Sequence, residues 1–267
     1  MEAVTLGPRG TYSHRAASSV VDEVSFLESV TGIVEAVAEG EVERGVIPVE
    51  NSIEGSVTES MDALVEYEVA VVKEIVTPVR HALLAQGEDF EVVASHSQAL
   101  AQCRDYLEEH YPGARLEAVA STARGVEHAR EDPSVAGIGH PDNARDGLVV
   151  LAEDIQDRSS NATRFFEIAP MAERSEAGGK STVIVYPSAD YSGLLLEILE
   201  AFADRDINLT RIESRPSGNR LGDYLFHVDF AAGLYEGRTK AALADLDEIA
   251  RRGWVRRLGS YDTKHVV

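Results

Sequence analysis

The sequence predicts a mixed α/β protein built from two similar α/β lobes followed by a ferredoxin-like βαββαβ unit. Three observations carry this. Up to about residue 170, short apolar runs alternate with amphipathic stretches at the spacing of parallel βαβ units. That alternation restarts near Arg80, which divides the region into two lobes. After a polar, glycine-bearing stretch, the remaining residues fall into the order βαββαβ in under 90 residues.

The elements follow in order. Residues 3–6 read as a strand, 7–10 as a loop and 12–21 as a helix. A short strand at 25–27, a helix at 30–38 and a buried strand at 44–49 come next, then a helix at 56–67 and a strand at 69–76. The second lobe opens with an apolar run at 80–85 and a strand at 92–95. A single helix is expected over 98–111, then a strand at 115–119, a helix at 122–130 and a buried strand at 135–139. Residues 171–179 read as a linker. Beyond it come strands at 181–186, 208–215, 224–230 and 254–259 and helices at 193–203 and 236–250. Two α/β lobes usually meet at a cleft lined by loops at strand C-termini.

Composition narrows the function. The 267 residues carry 46 acidic and 25 basic side chains, a net charge of −21, which argues against nucleic acid or an anionic membrane as partner. No apolar run approaches the roughly 20 residues of a membrane span. The start, Met1-Glu2-Ala3-Val4, lacks the features of a signal peptide, so a cytoplasmic protein is expected. The lone Cys103 excludes an internal disulfide and reads as a small core residue. Only Lys73, Lys180, Lys240 and Lys264 are lysines. Abundant carboxylates with scarce lysine fit a halophilic protein, because molar salt shortens the Debye length to roughly 3 Å; a GC-rich genome would also favour arginine.

Polar clusters stand at strand ends or helix starts: Gly10-Thr11-Tyr12-Ser13, Glu50-Asn51-Ser52, Ser95-His96-Ser97-Gln98 and Asn161-Ala162-Thr163-Arg164-Phe165. Hydroxyls, amides and helix N-terminal N–H groups at such places suit a small polyanion. Taken singly, Ser95, Ser121 or Thr122 reads as a helix cap. Asn161-Ala162-Thr163 also fits a glycosylation sequon, an accidental match in a cytoplasmic chain.

Those clusters, in that order, resemble prephenate dehydratase. The matching segments are Gly7 through His14, Ile47 through Val57, Ser95 through Cys103, and Ile155 through Arg158 with Asn161 through Phe165. Ile207 through Pro216, with its Glu213-Ser214-Arg215-Pro216, resembles the regulatory ACT domain that commonly follows. The resemblance covers almost the whole chain. It implies a catalytic domain over 1–170 whose lobes (about 1–77 with 155–170, and 78–154) are like type II periplasmic binding proteins, and an ACT domain over 180–267.

It also implies the chemistry. Prephenate loses carbon dioxide and water and becomes phenylpyruvate on the way to phenylalanine. Aromatisation drives the reaction, so no cofactor or metal is expected. Thr163 would be the general acid at the departing hydroxyl, a role worth typically 10²–10⁴-fold. Arg164 would hold a substrate carboxylate, and Phe165 would form a cleft wall. Thr11, Ser13, Glu50, Asn51, Ser95 and Gln102 would contact substrate. His81 and His96 are not expected to act as acid or base. L-phenylalanine would be the effector, held at Gly193, Leu194, Asn208, Leu209, Glu213, Ser214 and Arg215 between two ACT units of a homodimer or homotetramer.

The sequence departs from the family at Ser97, usually proline, at Arg15, usually acidic, and at Leu194, usually alanine, which adds bulk at the effector pocket. Arogenate dehydratase is an alternative reading, and a non-catalytic amino-acid sensor another; the Thr163-Arg164-Phe165 segment favours an enzyme. A chorismate mutase activity is not expected, because no separate all-helical segment is present.

Overall fold

A computed structural model describes residues 2–158 and 160–266. Met1, Ser159 and Val267 fall within the expected domains but lie outside the described residues.

The first lobe begins with β1 (Glu2–Leu6), α1 (Tyr12–Ser18), β2 (Glu23–Leu27), α2 (Val30–Ala38), β3 (Gly45–Asn51), β4 (Gly55–Ser56), α3 (Thr58–Glu66) and β5 (Val69–Pro78). The second lobe holds β6 (Ala82–Ala85), β7 (Val92–Ser95), α4 (Ser97–Gln102), α5 (Arg104–His110), β8 (Arg115–Ala118), α6 (Thr122–Glu131), β9 (Val135–Gly139) and β10 (Val149–Ala152). The chain then returns to the first lobe as β11 (Ala162–Pro170). Last come β12 (Lys180–Tyr186), α7 (Leu194–Ala203), β13 (Leu209–Pro216), β14 (Tyr224–Phe230), α8 (Gly237–Ile249), β15 (Trp254–Tyr261) and β16 (Thr263–His265).

Both lobes use one topology. The first sheet runs β16-β5-β11-β3-β1-β2, with β4 on β3, and the second β10-β6-β9-β7-β8. In each, two parallel strands flank a parallel central strand, β1 or β7. An antiparallel strand, β11 or β6, follows in the order, as expected for two periplasmic-binding-protein-like lobes. The ACT sheet is antiparallel, β13-β14-β12-β15.

Local sequence explains most elements. Ser29 caps α2 through Gly32 N–H, and five of its nine residues are buried at helical spacing. Gly125 lets α6 lie directly on β7, because a Cβ there would meet the Ala94 carbonyl and the Ser95 Cα.

The structure corrects several expectations. The helix expected over 98–111 is two helices meeting at Cys103, whose backbone (φ −115°, ψ 17°) leaves the helical region. Strands β4, β10, β11 and β16 were not foreseen; β4, β10 and β16 are short, β10 and β16 lie at sheet edges, and the longer β11 was read only as a polar cluster before the linker. The C-terminal tail, assigned by sequence to the ACT unit, leaves it, and β16 pairs in parallel with β5 of the first lobe.

The ACT unit is not tethered loosely. One face of its sheet carries α7 and α8 over a core that includes Ile198, Phe202, Phe226, Phe230 and Leu246. From the other face Ile184, Leu225, Leu258 and Tyr261 join the first lobe's own core beside Val71, Phe166 and Ile168. Arg256 reaches across and donates to the Leu64, Val65 and Tyr67 carbonyls at the end of α3, which a cation suits.

Candidate functional site

A cleft of about 510 Å³ lies between the two α/β lobes. Its floor is the antiparallel pairing of β3 and β11, in which Thr163 opposes Asn51 and Arg164 opposes Glu50. Side chains alternate along a strand. Thr163 and Phe165 therefore face the cleft, and Arg164 points to the opposite side.

Four amides and an imidazole fix the floor. Asn51 Oδ1 accepts from the backbone N–H groups of Ile53 (2.9 Å) and Glu54 (3.2 Å), which sets its orientation. Its Nδ2 donates to Asn161 Oδ1 (3.0 Å) and to Thr163 Oγ1 (3.1 Å). Asn161 donates on to Gln102 Oε1 (2.9 Å), which also receives His81 Nε2 (2.9 Å). A carbonyl oxygen can only accept, so His81 carries its proton on Nε2. Burial holds the His81 pKa below its ordinary value although Gln102 opposes this, which favours the neutral imidazole. His81 N–H is in turn held by Gln156 Oε1 at 2.8 Å.

The consequence for Thr163 is chemical. Its oxygen accepts from Asn51, so its own proton is left for a partner in the cleft. A donor on the hydroxyl oxygen also stabilises negative charge developing there.

Helix starts form the walls. Thr11 and Ser13 at α1, Gln98 at α4, and Ser121 and Thr122 at α6 line the space. Thr11 and Ser121 use their hydroxyls as caps, accepting from His14 and Arg124 N–H. Helix N-termini and neutral donors, with no arginine or lysine among the described lining residues, face an incoming anion. Glu54 accepts from Gln98 across the mouth, joining the lobes. Tyr12, whose phenol burial raises, donates to the Arg80 carbonyl at 2.5 Å.

Thr11, Ser13, Asn51, Gln102, Thr163 and Phe165 thus meet at one cleft. Three expected residues do not. Ser95 is fully buried and donates to the Ile138 carbonyl at 2.8 Å, because it shares the inward face of β7 with Val93. Arg164 lies behind the floor, paired with Glu74 and with Asp229 of the ACT sheet. Burial opposes its charge, but Asp229, Tyr261 and Glu74 hold the guanidinium above its ordinary value. Glu50 is on the same reverse face, 3.6 Å from Arg164. Sequence reasoning placed Asn161 and Gln98 in the polar clusters without giving either a role, and read Ser121 and Thr122 as caps only. Their positions at a strand start or helix starts were the available signal.

In the ACT unit, Gly193 and Leu194 line a second cavity of about 370 Å³ with Tyr191, Leu195, Tyr224 and Phe226. Gly193 has φ +100°, a conformation a side chain would strain, at the start of α7. Asn208 and Ser214 are exposed outside this cavity, and Leu209 packs on the ACT core. Glu213 and Arg215 do not face the cavity either. Glu213 accepts from Arg211, and Arg215 makes a bidentate pair with Asp62 of α3 (2.8 and 2.9 Å), because alternation along β13 turns both toward the first lobe.

Comparison with known proteins agrees with this arrangement. The prephenate dehydratase family model matches residues 3–173, and the ACT domain model residues 189–247. The chain is 38% identical over 263 residues to a bifunctional chorismate mutase/prephenate dehydratase of Aquifex aeolicus, covering 96% of this chain and 72% of that protein. To the prephenate dehydratase of Methanocaldococcus jannaschii it is 37% identical over 236 residues, covering 84% and 85%. The crystal structure of prephenate dehydratase from Arthrobacter aurescens in complex with L-Phe superposes with a TM-score of 0.89 at 36% identity, covering 98% of this chain and 90% of that one. With its cleft, its Thr-Arg-Phe strand and its docked regulatory sheet, the chain belongs to the prephenate dehydratase family and carries an ACT domain.

Proposed function

We propose that this enzyme converts prephenate to phenylpyruvate with Thr163 as the general acid, a reading carried by the Asn51–Thr163 hydrogen bond on the cleft floor. The ring carboxylate leaves as carbon dioxide, and its bonding electrons aromatise the ring. The ring hydroxyl leaves with the Thr163 proton as water, and solvent returns that proton to Thr163. Phe165 walls the ring in, while Thr11, Ser13, Asn51 and Gln102 hold the substrate. Rigid orientation supplies much of the remaining acceleration.

The division falls at 171–179, with the catalytic unit before it and the ACT unit after it. L-Phenylalanine is the effector, taken by the cavity at Gly193 and Leu194. Exposed Tyr191, Leu195, Leu196 and Tyr224 around that cavity support an apolar contact with a second ACT unit, in a homodimer or homotetramer. The partner's Asn208 and Leu209 would complete the pocket. A cytoplasmic, salt-adapted enzyme fits the biosynthetic family and the lysine-poor acidic composition; no helix among the described residues is long and apolar enough to cross a membrane.

The test is incubation with prephenate, following phenylpyruvate absorbance with and without phenylalanine. Phenylpyruvate formation that phenylalanine suppresses is expected. Turnover of arogenate in preference to prephenate would reassign the substrate, and no turnover of either would leave an amino-acid sensor.

A further inference from the structure

The reverse face of the cleft floor carries a charge cluster shared between two domains. Arg164 and Glu50 come from β11 and β3, Arg211 and Asp229 from β13 and β14 of the ACT sheet. Asp229 is fully buried and its Oδ2 lies 2.5 Å from Arg164 Nη1 and 3.9 Å from Arg211 Nη1. Glu50 Oε2 closes the other side, 3.6 Å from Arg164 and 3.8 Å from Arg211. Each cation thus touches both anions, and each domain supplies one of each sign. Thr182 of the ACT sheet donates to Asp229 Oδ1 at 2.7 Å and fixes the carboxylate.

The placement matters more than the charges. Arg164 and Glu50 are register partners, and the next pair along the same two strands is Thr163 and Asn51. Glu50 is also the register partner of Ser56 on β4. Arg211 donates to Ser56 Oγ at 2.6 Å, and Ser56 lines the cleft. The ACT sheet therefore grips both strands of the floor one residue away from the Thr163–Asn51 hydrogen bond. A shift of that sheet alone would draw the fully buried Asp229 away from Arg164, its nearest cation, while Arg164 kept Glu74 of the first lobe; breaking that buried pair is strongly unfavourable. The floor must move with it.

We propose that Arg164, Glu50, Arg211 and Asp229 are positioning residues that hold Thr163 against Asn51 and relay the effector state of the ACT sheet to that pair. This rests on the functional reading above. It assigns Arg164 a role behind the site rather than on the substrate.

The test uses the full-length chain, with prephenate kinetics and phenylalanine calorimetry side by side. Asp229→Asn keeps the shape and the acceptor for Thr182 but removes the ACT anion. Its kcat is expected to fall about 10–100-fold with KM within about twofold, as for a displaced catalytic group. Phenylalanine should still bind, while its effect on turnover weakens by about 3–30-fold. Asp229→Glu should recover part of both losses. Arg211→Lys, which keeps the charge but loses the reach to Ser56, is read in the same way if Asp229→Asn melts before assay temperature. An active, inhibited wild type whose folded variants match it in kcat and in inhibition would overturn the relay. So would variants that lose inhibition only by losing phenylalanine binding, or an active wild type that phenylalanine binds without inhibiting. A wild type that forms no phenylpyruvate overturns the functional reading itself, and the relay with it.

Discussion

The proposed general acid, Thr163, has what an isolated threonine lacks: Asn51 presents a donor to its oxygen, and Asn51 is itself fixed by two backbone N–H groups. Replacing Thr163 by alanine should lower kcat at least tenfold and leave KM nearly unchanged, since the lost bond is made only in the transition state. Steady-state kinetics with prephenate decides this; a variant retaining more than about a tenth of wild-type kcat, outside the usual general-acid range, removes Thr163 from the role. A second residue-scale prediction concerns His227. It is buried on β14 with neither ring nitrogen hydrogen-bonded among the described residues, near Arg211, Arg215, Asp229 and Glu213, and burial with the Arg211 charge lowers its pKa to about 4. The unfolded chain, with an ordinary imidazole near 6.5, then binds more protons than the folded one between those values. Stability should fall as pH drops through that window, by up to about 1.4 kcal/mol per pH unit from this group. Urea unfolding at pH 7 and pH 5 measures it, and His227→Leu should show a shallower loss.

At the scale of elements, β16 is the least expected and the most informative. Three residues cross from the ACT unit to the first lobe's sheet, and Thr263 donates to Glu74 there. Glu74 is almost fully buried; burial raises its pKa, but Arg164, Lys180 and Thr263 together hold it below the ordinary carboxylate range. Thr263→Val removes one donor from a buried carboxylate while keeping the shape and the strand. A loss of about 1.5–3 kcal/mol is expected, read as a lower urea midpoint at unchanged slope. An unchanged midpoint would mean that β16 contributes little to the tie between the units. The apolar runs made β3 and β9 legible in the sequence, because each is buried along most of its length. Strands such as β10 and β16 were not legible, because three or four residues at a sheet edge carry no pattern of their own.

Considered whole, the molecule is an acidic shell around joined cores. With 46 acidic residues and only 4 lysines, like charges repel across its surface. The melting temperature should rise as potassium chloride goes from dilute to molar, where the screening length falls to roughly 3 Å. A flat series would assign the composition to genome bias. The same view changes how the ACT unit is understood. Ile184, Leu225, Leu258 and Tyr261 share one core with the first lobe, so the regulatory sheet forms part of the catalytic lobe's own packing.

Residue order alone was enough for the α/β lobes, the βαββαβ unit and the Thr-Arg-Phe segment, because periodicity and local polar clusters depend only on near neighbours. The resemblance to prephenate dehydratase, rather than periodicity, singled out the six expected side chains that meet at one cleft. The face that each side chain occupies was decided by the tertiary structure. Arg164 sits between two cleft residues in sequence but turns away from them, because a strand alternates and an ACT carboxylate waits behind it. Glu50 and Arg215 turn away for the same reason, their partners Arg164 and Asp62 lying more than 100 positions off where no local pattern reaches, whereas Glu213 pairs with Arg211 two positions along the same strand.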